Sequence, residues 1–172
     1  MLERFEQVGR QALDELAVLM RAIGAPHPEL PLPLEPEPGL ADGEWVRGVK
    51  LPPVRMVWLL QRIAEAFPGH GLYLFSGYRP EAGARSRHFH ASAVDLQVSG
   101  IAPEALFHFC QRLPDVACGY YPYQPFVHLD LRPYGTPAIQ WVDDSMPGTP
   151  AHYVDGWPGV VEGGALAGAG GD

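Results

Sequence analysis

The sequence predicts an α+β domain: a single, mainly antiparallel sheet with helices packed on one face. Three observations lead there. Runs with strand character come in neighbouring pairs, 71–79 with 93–98 and 116–121 with 126–131. Proline-opened helical segments precede each pair, so the order reads helix, strand, strand, helix, strand, strand. A hydrophobic fraction of 47% in 172 residues is ordinary for one globular domain and sufficient for a core.

Each element has a local reason. Leu2, Phe5, Val8, Leu13, Leu16, Leu19, Met20 and Ile23 recur at helical spacing, and Gly24 follows as a stop, so residues 2–23 read as a helix. PHPELPLPLEPEPG, 26–39, carries proline too often for any helix and reads as an extended connector. The compact part is expected to start near Trp45. Pro52 or Pro53 opens a helix to about Phe67, with Val54, Val57, Trp58, Leu60 and Ile63 as its apolar face, and Pro68-Gly69 ends it. A strand running into a loop follows over 71–79, then a polar loop over 80–90 and a strand over 93–98. Pro103 opens a helix that ends at Pro114, and the strands 116–121 and 126–131 flank a YPYQP turn. The segments divide into an N-terminal helix (1–24), a Pro-rich connector (25–44), a main domain (45–142) and a Gly/Pro-rich tail (143–172), the tail expected to be mobile or loosely packed.

Charge excludes some functions. Twenty acids against twelve bases give a net charge of −8, Lys50 is the single lysine, and no basic block exists. The electrostatic footprint of a nucleic-acid binder is therefore missing. No apolar run reaches the length of a membrane span. MLERFEQVGR lacks a secretory pattern, which leaves three options: the chain stays inside, a leader has been removed, or export takes another route. Cys110 and Cys118 could pair across eight residues, but buried free thiols are the favoured expectation.

The chemistry concentrates in two stretches, SRHFHASAVDLQVSG (86–100) and FVHLDLR (126–132). A hydrolytic metal site needs about three ligands from His and carboxylate, an open position for water, and a base. His88 and Asp95 lie seven apart, and His128 sits on a strand with Asp130 two residues on, hence on the same face. A loop histidine, a strand aspartate and a histidine from another strand can converge on one metal.

These residues resemble a family. Ser86, His88, Ala91, Ala93 and Asp95 are similar to the first zinc motif of the D-alanyl-D-alanine carboxypeptidase and dipeptidase group, which shares its fold with the amino-terminal domain of sonic hedgehog and several phage endolysins. SGYRP (76–80) resembles that group's SGYR segment. GYYPYQPFVHLDLRPYGTPAIQW (119–141) is similar to the closing motif of its periplasmic murein-endopeptidase branch. The resemblance covers about residues 50–142. It implies a hedgehog-like fold, zinc held by His88, Asp95 and His128, and Arg79 on a substrate carboxylate or polarised carbonyl oxygen. Asp130 is the best general base available, with the alternative that it orients a ligand histidine. The substrate implied is a cell-wall peptide with a D-amino acid, and the setting implied is periplasmic or extracellular, with cytoplasmic or phage-derived origins as alternatives. A catalytically inactive, zinc-bearing module that binds murein or a protein partner is the second reading. The loop PEAGARSR is shorter than the group's usual one. Ala91 replaces the group's usual glycine, so an ordinary backbone conformation is expected there. His90 either lines the site or faces solvent. Oligomeric state has no signal in the sequence.

Overall fold

A computed structural model describes residues 2–40 and 43–155. The elements are α1 (Leu2–Leu19), α2 (Val54–Ala66), β1 (Leu72–Ser76), a 3-10 turn (Pro80–Ala82), β2 (Ala93–Val98), α3 (Pro103–Cys110), β3 (Val116–Tyr120), β4 (Val127–Leu131), β5 (Ile139–Asp143) and β6 (Tyr153–Val154). They form an α+β fold on one six-stranded sheet, ordered β1-β2-β4-β3-β5-β6. Every pairing is antiparallel except β3 with β5. The strands β5 and β6 are additions to the predicted set, since IQWVD alternates too little to stand out from the Pro/Gly-rich sequence around it. Among the described residues no helix is long and apolar enough to cross a membrane.

The two sheet faces differ in kind. Successive strand residues point to opposite sides. On one side Val94, Leu96, Leu129, Cys118 and Tyr120 pack with Phe107 and Leu106 of α3 and Met56, Leu59 and Ile63 of α2. The other side carries Asp95, His128, Asp130, Gly119, Trp141 and Asp143. Cys110 and Cys118 are joined in a disulfide, which corrects the free-thiol expectation and fastens the end of α3 to β3. Burial is common to free and paired cysteines, so burial did not separate the two cases.

α1 ends four residues earlier than its periodicity suggests. Leu16 and Met20 join the main core, while Ala17 and Val18 meet Leu32, Val46 and Val49 in a smaller one. The Pro-rich connector is tied back onto α1, where Leu32 N–H donates to Asp14 at 3.2 Å, and onto the segment that follows it, where Trp45 Nε1–H donates to Pro33 O at 2.6 Å. Beyond β5, Asp143 Oδ1 accepts the N–H groups of Ser145 and His152, both at 3.0 Å, shaping the loop to β6. The Gly/Ala-rich end of the expected tail, from residue 156, lies outside the described residues.

Candidate metal centre

The sheet register assembles most of the site. Asp95 of β2 lies opposite His128 of β4, His128 opposite Gly119 of β3, and Gly119 opposite Trp141 of β5. One row across four strands therefore carries an acid, an imidazole, a glycine and an indole. Gly119 matters for space: a Cβ there would fall 2.5 Å from the Trp141 ring. Its absence lets the indole reach across β3, 5.3 Å centre to centre from the His128 ring. Trp141 Nε1–H donates to the Tyr121 hydroxyl at 3.2 Å.

His88 arrives from the loop before β2. Its backbone N–H donates to Ser86 Oγ at 3.2 Å, and its carbonyl accepts from Arg79 N–H at 3.3 Å and Ala91 N–H at 3.0 Å. Ala91 adopts φ 50, correcting the expected ordinary conformation. An alanine held in this left-handed conformation costs about 1–2 kcal/mol. The chain must turn there to aim His88 inward.

His88 Nδ1–H donates to Gly77 O at 2.7 Å, which leaves Nε2 facing the cluster. Gly77 in turn presses on α1: a Cβ would fall 2.6 Å from Met20, whose carbonyl accepts the Tyr78 N–H at 2.6 Å. The end of α1 thus backs the carbonyl that orients His88. Tyr78 is buried, and its hydroxyl donates to Glu44 Oε1 at 3.1 Å.

The three expected ligands meet. His88 Nε2 lies 3.1 Å from His128 Nδ1, His128 Nδ1 lies 3.0 Å from Asp95 Oδ1, and His88 Nε2 lies 3.6 Å from Asp95 Oδ1. All three residues are buried. Metal–ligand bonds of about 2.1 Å in a tetrahedron put ligand atoms about 3.4 Å apart, so the cluster has the spacing of three corners of such a site. The donor chemistry fits as well, because each ring nitrogen turned away from the cluster is occupied by a protein acceptor. For His128 that acceptor is Asp130, whose Oδ2 is 3.3 Å from Nε2. Asp130 is buried and held from behind by Arg132, with Nη2 at 2.7 Å from Oδ2 and Nε at 2.5 Å from Oδ1. Its contacts are thus to the outer side of His128.

Without a metal the cluster is a coupled set of charges. Burial pushes the Asp95 carboxyl up, but hydrogen bonds from His128 and His88 outweigh it and hold the group well below the usual carboxylate range. Burial pulls His128 down, yet the carboxylates of Asp130 and Asp95 overcome it and push the ring up to about 9.

Asp95 and His128 of the cluster line a cleft of about 440 Å³, with His88 buried behind them. Arg79 lines it, as do Tyr121, Trp141, Asp143 and the loop from Ser145 to Ala151. His90 is exposed and its Nε2–H donates to Ala84 O at 2.7 Å, bracing the loop rather than joining the cluster. His108 is partly buried on α3, near Gln111. The sequence reading missed Arg85, Arg87 and Asp143, which also line the cleft. The two arginines alternate with Ser86 immediately before His88, a pattern that could have been noticed.

A His–Asp–His cluster of tetrahedral spacing beside a cleft on a mostly antiparallel sheet could hold a metal ion, the arrangement that a metal-dependent hydrolase requires. A family model described as peptidase M15 matches residues 39–130, more than half of the chain and all three cluster residues. The chain belongs to the peptidase M15 family and is a metallopeptidase by that membership. No curated protein and no solved structure matches it.

Proposed function

We propose that the protein is a zinc peptidase that hydrolyses an amide bond in peptidoglycan peptides containing a D-amino acid. The observation that carries the metal is the His88, Asp95 and His128 cluster, with ligand atoms 3.0–3.6 Å apart, two of whose residues line the cleft. The substrate class rests on the resemblance of SGYRP and of the 119–141 segment to murein peptidases.

His88, Asp95 and His128 hold the ion. When bound, zinc polarises the scissile carbonyl and lowers the pKa of a bound water toward neutrality. Asp130 keeps a proton on His128 Nε2, so that Nδ1 remains the donor atom toward the cluster. We assign it this positioning role in preference to that of general base, because both its oxygens engage His128 and Arg132. Arg79, on the cleft wall, donates to a substrate carboxylate or to the oxygen on which negative charge develops. The Trp141 indole shields one side of His128 from water.

One observation favours the second reading, an inactive zinc-bearing module that binds murein or a protein partner. Among the carboxylates lining the cleft, Asp95 and Asp130 are engaged with histidines, and Asp143 already accepts two backbone N–H groups through Oδ1. Elemental analysis with mass spectrometry of muropeptides after incubation separates the cases. About one zinc per chain with new cleavage products is expected. Full zinc with no product leaves the binding module, and zinc well below one per chain after supplementation overturns the metal assignment.

A further inference from the structure

Four of the chain's twelve basic residues, Arg79, Arg85, Arg87 and Arg132, line the same cleft of a protein whose net charge is −8. Two of them have assignments already. Arg132 is held by Asp130, and Arg79 is placed against the reacting end of the substrate. Arg85 and Arg87 have none. Among the described residues neither guanidinium makes an ion pair or a hydrogen bond. Nor do the cleft's acids neutralise them. Asp95 faces two histidines, Asp130 faces His128 and Arg132, and Asp143 Oδ1 accepts two backbone N–H groups.

The backbone that carries them is braced before any ligand arrives. Ser86 N–H donates to Gly83 O at 3.0 Å, and His90 Nε2–H donates to Ala84 O at 2.7 Å. Arg87 O accepts two N–H groups, from His90 at 3.2 Å and Ser92 at 2.9 Å. Two cations on a pre-shaped loop, one of them adjoining His88, bind an anion with less ordering cost than mobile side chains would. Guanidinium forks match carboxylates in particular.

We propose that Arg85 and Arg87 form an anion subsite beside the metal cluster, which recognises a second carboxylate on the substrate peptide, distinct from the group facing Arg79. This deepens the peptidase reading above and rests on it for the identity of the ligand as a peptide. The substrate is then an acidic peptide with a free carboxylate near the scissile amide, and Arg85 and Arg87 set specificity.

The test compares two synthetic cell-wall-type peptides on zinc-loaded full-length protein. One has a γ-linked D-glutamate with its α-carboxylate free. The other carries the same group as a carboxamide. Calorimetric binding and turnover are both read for the wild type, R85Q, the R85Q/R87Q pair and the charge-preserving R85K/R87K pair. Zinc content and melting temperature serve as folding controls. The wild type is expected to prefer the acid by about tenfold or more. R85Q/R87Q should lose that preference through KM, with kcat on the amide peptide unchanged, and R85K/R87K should keep part of it. Equal binding of acid and amide by the wild type overturns the proposal, as does a preference that persists in R85Q/R87Q or an equal loss for both peptides. If neither peptide is cleaved, the peptidase reading falls, while the binding arm still decides on the subsite. If R85Q/R87Q fails its folding controls, R85Q, altered only at an exposed loop position, decides alone.

Discussion

The two faces of the central strands are made by opposite rules. On the helix side, β2, β4 and β3 offer Val94, Leu96, Leu129 and Val116, and neighbours are interchangeable in chemistry if not in shape. On the cleft side the same strands offer Asp95, His128 and Gly119, and each group needs one particular partner atom. The helix face stabilises through area removed from water, which is nondirectional. The cleft face buries charge that is tolerable only because it is paired. The lesson is that nondirectional packing and specific pairing of buried charge are separated by a single alternation along each strand.

The predictions press on that separation. The largest effect is expected for His128→Ala: metal binding should vanish by elemental analysis, because one corner of the cluster is gone. Denaturant unfolding of the metal-free variant should also show a loss of about 3–5 kcal/mol, since two buried carboxylates lose their shared partner. A variant as stable as the wild type would mean that the cleft face contributes nothing to folding. Phe107→Ala, from the helix face, should cost about 3–5 kcal/mol by the same measurement while leaving zinc at one per chain below its melting point. Loss of metal in that folded variant would break the separation of faces.

Asp130→Asn comes next. It should weaken metal affinity about 10–100-fold, read by competition with a chelator. The pH profile of turnover, measured at saturating zinc, should keep its shape. Disappearance of a limb of that profile would return Asp130 to the role of base.

The smallest effect concerns protons. Metal-free His128 titrates near 9, above its unfolded value of 6.5, so its protonated form is favoured by folding. That contribution is full below pH 6.5 and disappears as pH rises through about 9. Asp95 is depressed, so its contribution stands above pH 3.8 and falls away as pH drops toward its lower folded value. A metal needs neutral His128. Calorimetry in buffers of different ionisation enthalpy should find about one proton released per metal at pH 7.5 and none at pH 10. No proton release at pH 7.5 would show that His128 is already neutral in the metal-free protein.

Much of this was legible locally. α2, β2, β3 and β4 were all present in periodicity and proline punctuation, and β2 was bounded to the residue at 93–98. The choice of His88, Asp95 and His128 came from motif order. Less legible were contacts between segments far apart in the chain. Arg85 and Arg87 look like solvated loop charges until the cleft is assembled, and Ala91 looks like an ordinary residue until the turn has to aim His88. The Cys110–Cys118 bond depends on α3 ending beside β3, a distance that spacing does not encode.

By itself the sequence determined the α+β class and put His128 and Asp130 on one strand face, because alternation and helical period are properties of neighbouring residues, while His88, Asp95 and His128 were picked out by their resemblance to a family's motifs. Tertiary structure alone decided how the donors are used. Asp130 lies behind His128 because His128 Nδ1 faces Asp95 across the sheet, and the end of α1 backs Gly77 because that glycine leaves room for Met20. Those are relations of distance and direction between separate segments, and they exist only once the chain has folded.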